Sequence, residues 1–147
     1  MTGWRIGFTA APLPIAKAIG AIQSHSTSNP TSFAPSGAVQ ALKGPQDHLA
    51  QWLAEFSKRR DYAYGRLTDM PGISCVNAQG AFYLFPSISD TGMKSAEFCE
   101  KLLAEQNVAA VPGVAFGSDG FIRLSYATGM ENIEKGLDRL EAFVKSL

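Results

Sequence analysis

Arg123 is the residue of this sequence whose type and setting most strongly suggest binding chemistry. It interrupts residues 121–127, Phe-Ile-Arg-Leu-Ser-Tyr-Ala, which otherwise show the alternation of a half-buried strand. In that pattern Arg123 shares a face with Phe121 and Ser125. A guanidinium is costly to bury unless an anion meets it, and its donors fit a carboxylate through two hydrogen bonds. From this strand alone, two interpretations stay open: an arginine at a sheet edge paired with an acidic side chain or water, or one that binds a ligand.

The other reactive side chains give weaker signals. Cys75 and Cys99 fall in a predicted strand and on the buried side of a predicted helix, so both are interpreted as core residues. Two cysteines and two histidines, His25 and His48, offer little for a metal site, and none is expected. The glycine-rich residues 112–120 follow a strand without opening a helix. They are therefore interpreted as a structural turn and not as a phosphate-binding loop.

Composition limits the function classes. The chain has 147 residues, which suits one domain or a piece of a larger protein, and 46% of them are hydrophobic. Thirteen basic residues balance thirteen acidic ones, so neither nucleic acid nor an anionic membrane is an expected partner. The sequence contains no apolar run of the roughly 20 residues that a membrane span needs, and no targeting pattern at residue 1. A reduced, cytoplasmic location is expected.

Helical periodicity and punctuation predict five helices. A long one begins after Pro45, and apolar residues follow the three- and four-residue spacing of a buried stripe along it. Ser95 is expected to cap the fourth helix, Asn107 to end it, and Thr128 with Glu131 to form a capping box before the last one. The predicted ranges are 12–26, 33–43, 46–70, 95–107 and a final helix after residue 128.

Short β-rich runs separate these helices. A strand is expected over residues 4–9, and a hairpin over 73–76 and 81–85 with its connection at 77–80. Residues 108–111 and 121–127 complete the set. Strands interleaved with helices in this order predict an α/β layer arrangement.

Two segments carry a resemblance to a known family. Residues 1–8, Met-Thr-Gly-Trp-Arg-Ile-Gly-Phe, and residues 108–127, where Val111-Pro112-Gly113 leads to Ile-Arg-Leu-Ser-Tyr-Ala, resemble fold-type I aminotransferases of the aspartate aminotransferase family. Residues 80–85 resemble a strand of its small domain. The resemblance implies the C-terminal remnant of the pyridoxal-phosphate-dependent transferase fold. Residues 1–57 would be the end of the large cofactor-binding domain with the start of the linking helix, and residues 58–147 the small α/β domain.

The resemblance also implies roles for particular residues. Arg5 would hold the phosphate of pyridoxal 5′-phosphate, and Arg123 would bind the α-carboxylate of the amino- or 2-oxo-acid substrate. The family's cofactor lysine is expected about four residues before Met1, so no catalytic residue is assigned within the chain. Lys17 and Lys43 lie on predicted helices outside the matched pattern and are rejected for that role.

The function implied is transfer of an amino group between an amino acid and a 2-oxo acid, in a parent that is a homodimer. The chain alone is expected to be inactive and not to hold the cofactor covalently. Two alternatives stay open: a lyase or synthase on the same fold, and a non-catalytic binding or assembly domain. Residues 1–44 are expected to expose apolar surface, whereas residues 62–147 should fold compactly.

Overall fold

The structure, a computed structural model, describes residues 1–147 apart from the side chain of Thr2. The chain divides into two compact units, Met1–His48 and Leu49–Leu147. The domain boundary expected between residues 57 and 58 refers to the intact family fold and stays a prediction.

The unit Met1–His48 is helical. A short 3-10 helix, Thr2–Trp4, precedes α1, Leu13–Ser26, and α2, Phe33–Lys43. Trp4 packs edge-on against Phe33 of α2, with ring centroids 5.7 Å apart. Within this unit only Ala34 is buried among the described side chains, and Phe8 is 88% exposed. The expected exposure of apolar surface in this part of the chain is confirmed.

The strand expected over residues 4–9 is wrong. The chain there leaves the 3-10 helix through a turn at Arg5 and continues in an extended form to the start of α1. A strand is defined by hydrogen bonds to a neighbouring strand, and the described residues of this unit supply no such neighbour. Gly3 and Gly7 add no side chain that could hold the segment in a sheet.

Three longer helices supply most of the second unit's core. They are α3, Asp47–Thr68; α4, Ser95–Gln106; and α5, Met130–Ser146. α3 ends two residues before its predicted end, and α4 ends as expected at Asn107, whose left-handed backbone donates to Leu102 and Leu103 carbonyls. In α5 the buried residues repeat at three- and four-residue spacing.

Both predicted N-terminal caps are wrong. α4 is preceded by Lys94 in extended conformation, and Ser95 is its first residue, with a hydroxyl directed to Asp119. α5 begins after Gly129, and the Thr128 hydroxyl instead accepts a hydrogen bond from the Asn132 side chain. In each case the hydroxyl bonds to another part of the chain and makes no hydrogen bond to the backbone N–H groups at the helix start.

A small antiparallel sheet lies beside these helices. Its strands are β1, Tyr83–Leu84; β2, Val111–Pro112; and β3, Ile122–Ser125, in the order β1-β3-β2. Tyr83 pairs with Ser125, and Val111 pairs with Arg123. β3 is therefore the central strand, with neighbours on both sides.

The expected hairpin is wrong in its pairing. Residues 73–76 contribute one isolated bridge, between Ser74 and Ser87, whereas β1 pairs with β3, which is distant in sequence. Of the run expected at 108–111, only Val111 lies in a strand. Periodicity found the extended segments, but it could not show which strand each would meet.

The core lies on one side of the sheet. Leu84, Ile122 and Tyr126 are buried in one cluster with residues of α3, α4 and α5, while the intervening Arg123 belongs to the other face. This two-layer α/β arrangement confirms the predicted fold class. Among the residues that the structure describes, none of the helices combines the length and the apolar character needed to cross a membrane.

Candidate functional site

Arg123 lies in the middle of the central strand, on the sheet face away from the helices. Its guanidinium carbon is 4.4 Å from the centroid of the Tyr83 ring and 4.6 Å from that of Phe116. Tyr83 comes from β1, and Phe116 ends a 3-10 helix, Gly113–Phe116, after β2. The half-buried guanidinium thus contacts two aromatic rings contributed by different elements.

The aromatic rings offset the cost of burial without using any N–H group. Cation–π contacts contribute about 0.5–2 kcal/mol, depending on solvent exposure. Among the side chains that the structure describes, no carboxylate lies within 4.0 Å of the Arg123 guanidinium, and no acceptor takes a hydrogen bond from it. The structural interpretation of Arg123 as one half of an ion pair is therefore not supported, and its donors remain available to a ligand.

Arg66 shows what a structural arginine does in the same unit. It donates to Asp138 over 2.7 Å, to Glu141 over 2.9 Å and to the Tyr62 hydroxyl over 2.9 Å. These contacts join α3 to α5 and raise the pKa of Arg66, chiefly through the hydrogen bond to Asp138. Arg66 also lies over the Tyr62 ring, at 5.9 Å. Arg123 has aromatic contacts of the same type but no such acceptors among the described residues.

The loop that carries Phe116 is closely fitted. The Gly113 N–H donates to the Phe121 carbonyl over 2.8 Å, and the Gly113 carbonyl accepts from Ser118 over 3.0 Å. A Cβ atom at Gly113 would lie 2.2 Å from the Ser118 oxygen and 2.3 Å from the Phe121 oxygen. Gly117 has a φ of 79°, which favours glycine. The predicted structural turn at 112–120 is thus confirmed, and it fixes the position of Phe116.

The first residue of α4 anchors this loop. Ser95 is fully buried, and its hydroxyl donates to Asp119 Oδ1 over 2.7 Å while accepting from the Val114 N–H over 3.2 Å. The Ser95 N–H also donates to Asp119, at 3.1 Å from Oδ1. The hydrogen bond from the Ser95 hydroxyl, followed by that from its N–H, lowers the pKa of Asp119.

Sequence reasoning found Arg123 but missed its aromatic partners. The pattern of residues 81–85 favours a core position for Tyr83, and Phe116 lies in the predicted turn with no periodicity to orient it. A signal existed for Tyr83, since strand parity separates it from the buried Leu84. Phe85 and Phe121 stack nearby with centroids 5.1 Å apart, extending the aromatic surface.

Arg5 belongs to the other unit, Met1–His48. It is exposed and has a φ of 52°, a left-handed conformation that is uncommon for a residue with a side chain. It lines a cleft of about 700 Å³ between residues 4–9, α1 and residues 27–31. Thr9, Thr27 and Thr31 place hydroxyl-bearing side chains along the same cleft.

The remaining candidates behave as core or surface residues. Burial raises the pKa of the Cys99 thiol to about 11, and burial likewise raises that of Cys75. Neither cysteine is therefore activated as a nucleophile. Lys17 and Lys43 lie on α1 and α2, as expected. The described residues bring together no group of three or more side chains suited to a metal ion.

Comparisons with known proteins extend along the whole chain. The family model "Aminotransferase class I and II" matches residues 1–140. The aspartate aminotransferase of Bacillus subtilis (strain 168) is 45% identical over 150 residues, which cover 99% of this chain and 38% of that protein. The aspartate/prephenate aminotransferase of Cereibacter sphaeroides is 43% identical, over 100% of this chain and 39% of its own length.

Solved structures agree. The aromatic aminotransferase from Pyrococcus horikoshii OT3 superimposes with a TM-score of 0.88 at 41% identity, covering 99% of this chain and 40% of that one. The aspartate aminotransferase from Rhizobium meliloti gives 0.87 at 37% identity, with 99% and 39% covered. These relatives do not favour a lyase, a synthase or a non-catalytic module. The chain spans about two fifths of the relatives that it matches, corresponds to their C-terminal portion, and belongs to the class I and II aminotransferase family.

Proposed function

We propose that these 147 residues supply the substrate-side and phosphate-side contacts of a pyridoxal-phosphate-dependent aminotransferase. The enzyme would move an amino group between an amino acid and a 2-oxo acid. When bound, the cofactor supplies an electron sink for the carbanion formed when the substrate Cα loses its proton. The proposal rests chiefly on Arg123, a half-buried cation whose hydrogen-bond donors have no acceptor among the described residues.

Arg123 is proposed to bind the substrate α-carboxylate. A carboxylate needs donors spaced for two parallel hydrogen bonds, which a guanidinium edge provides. The guanidinium lies over the Tyr83 and Phe116 rings at 4.4 and 4.6 Å, and these ring contacts occupy none of its N–H donors. A carboxylate held there would orient the substrate for proton removal, a positional contribution to the rate.

Arg5 is proposed to hold the cofactor phosphate. A dianionic phosphate suits a permanently charged donor in an accessible cleft, and the threonine hydroxyls along this cleft can add further donors. The left-handed backbone at Arg5 adds support, because such conformations are concentrated at functional and ligand-binding positions.

The finer assignments are part of the same proposal. The substrates are small amino and 2-oxo acids, and neither nucleic acid nor membrane is a partner. The active species is a cytoplasmic homodimer in which the large domain includes residues 1–57 and the small domain residues 58–147. The lysine that holds the cofactor covalently lies outside these 147 residues, so the chain alone neither transaminates nor retains the cofactor covalently.

A chimera tests this function directly. The chain would replace the matching 38% of the Bacillus subtilis aspartate aminotransferase, to which it is 45% identical. We expect the folded chimera to bind pyridoxal phosphate and to transaminate aspartate. Arg123→Lys should raise KM for the amino acid, whereas Arg5→Leu should weaken retention of the cofactor. A folded chimera that binds the cofactor but leaves aspartate unreacted would refute the assignment.

The isolated chain provides the complementary measurement. It would be incubated with pyridoxal phosphate, reduced with borohydride and mapped by mass spectrometry. We expect no lysine to be labelled stoichiometrically, with Lys17 and Lys43 reacting no more than other exposed lysines. Specific labelling of one lysine, together with amino-group exchange, would show that the chain is catalytically complete.

A further inference from the structure

We propose that Phe116 and Tyr83 are positioning residues that hold the Arg123 guanidinium in the plane from which it receives a carboxylate. The inference rests on the proposed role of Arg123 and adds to it the two residues that make the arginine competent. Neither ring is expected to touch the carboxylate itself.

The two rings restrict the conformations open to the Arg123 side chain. A long, flexible arginine side chain adopts many rotamers when nothing restrains it, and ordering it on binding costs free energy. Rings at 4.4 and 4.6 Å from the guanidinium carbon restrict where the group can lie. The two rings belong to different elements, and the guanidinium contacts both of them. The Arg123 side chain is therefore already ordered before a ligand binds, and binding does not have to order it.

An aromatic ring restrains the guanidinium without using its hydrogen-bond donors. A carboxylate partner would restrain the guanidinium equally well, but it would occupy the N–H groups that the ligand needs. Aromatic faces attract the cation through the ring quadrupole and leave all five N–H donors unused. Arg66, whose donors are taken by Asp138, Glu141 and Tyr62, shows the alternative in the same unit.

The loop that carries Phe116 holds this ring in a fixed position although the ring is half exposed. Phe116 is 48% exposed, so burial alone gives little reason for an aromatic residue at its position. Yet its backbone is fixed by the close packing at Gly113 and by the Ser95–Asp119 hydrogen bonds. A rigid loop that presents a half-exposed ring to one guanidinium is suited to positioning it.

The test measures the arginine itself, not catalysis. The full 147-residue chain would be labelled with ¹⁵N-arginine, and the Nε–Hε signal of Arg123 identified by its loss in Arg123→Lys. Ring currents from two flanking rings should displace this signal from the positions of the other arginines. Acetate, titrated at constant ionic strength against chloride, is the carboxylate probe.

Variants separate positioning from general packing. In Phe116→Leu and Tyr83→Leu the displacement should fall and the acetate dissociation constant should rise about three- to tenfold. Phe116→Tyr and Tyr83→Phe, which keep the rings, should restore both values. Phe33→Leu, an exposed phenylalanine of the first unit, is the matched control and should change neither.

Each outcome decides a different point. An unchanged Arg123 signal and acetate affinity in both leucine variants, with native circular dichroism, would overturn the inference. A signal that depends on the rings but does not respond to acetate would also overturn it, because the rings would then hold an arginine that receives no carboxylate. If the NMR results are as expected and the chimera fails to transaminate, the proposed function fails while the positioning role stands.

Discussion

The Ser95 hydroxyl donates a 2.7 Å hydrogen bond to Asp119 and so joins the first turn of α4 to the loop that carries Phe116. Ser95 is fully buried and makes three hydrogen bonds to this loop: its hydroxyl and its N–H both donate to Asp119 Oδ1, and its hydroxyl accepts from the Val114 N–H. The position of the Phe116 ring over Arg123 therefore depends on the hydrogen bonds between Ser95 of α4 and Asp119.

Ser95→Ala should destabilise the protein by about 1–3 kcal/mol, because it removes the hydrogen bonds to Asp119 and from the Val114 N–H that a fully buried hydroxyl makes. The free energy of unfolding in urea, followed by circular dichroism, measures the effect. Ser74→Ala, at an exposed serine, is the control and should change stability little. Equal effects at the two serines would contradict the anchoring role.

Asp119→Asn should reveal a pH-dependent contribution. Hydrogen bonds from Ser95 hold the pKa of the Asp119 carboxyl below its ordinary value of 3.8. A depressed folded-state pKa stabilises the fold above the unfolded-state pKa, and this stabilisation disappears as the pH falls through the folded-state value. The wild-type protein should therefore exceed Asp119→Asn in stability at pH 7 and lose that advantage as the pH falls below about 4.

The measurement compares urea unfolding of both proteins between pH 7 and pH 2.5. A stability difference that stays constant over this range would mean that the Asp119 charge plays no part. Lys94, which also lowers this pKa, can be tested by Lys94→Met, and should alter the difference less than Ser95→Ala does.

Two glycine substitutions should have opposite signs. Gly113→Ala forces a Cβ atom to within 2.2 Å of a backbone oxygen, so the loop must rearrange, at a cost of about 1–3 kcal/mol. Gly136→Ala lies inside α5, where a Cβ atom would meet no atom within 4 Å. It should stabilise the helix by about 0.5–1 kcal/mol. Thermal unfolding measures both, and a stabilising Gly113→Ala would show that the close packing has no consequence.

Limited proteolysis should cut the two units at different rates. The core cluster lies within residues 63–144, whereas Ala34 is the single buried apolar residue among the described side chains of Met1–His48. Local opening should therefore be easier in the first unit. Mass spectrometry over a digestion time course should show early cuts before about residue 49 and a persistent C-terminal fragment. Equal cleavage rates in the two units would be inconsistent with this difference in packing.

Sequence reasoning succeeded where periodicity and local chemistry act within one element. The helix over residues 33–43, the end of α4 at Asn107 and the outward face of Arg123 all follow from short-range patterns. The resemblance of residues 1–8 and 108–127 supplied the family, which composition and spacing alone could not have done.

What failed depends on contacts between distant residues. Ser95 resembles a cap, but its hydroxyl donates to Asp119, twenty-four positions later, and accepts from the Val114 N–H. Residues 4–9 have strand character but meet no neighbouring strand within the described residues of their unit. Phe116 could not be placed over Arg123 without the fold of the loop at Gly113.

The central place of β3 has a consequence for insertions and deletions. Side chains alternate along a strand, so a slip of one residue would turn Arg123 into the helix-covered layer and bring Ile122 out to water. The hydrogen bonds from β3 to β1 and to β2 oppose such a slip, because both pairings would have to change register. Insertions and deletions should therefore be tolerated in the connection at 77–80 but not within residues 122–125. Within that strand, one residue more or less would move the Arg123 side chain to the opposite face of the sheet.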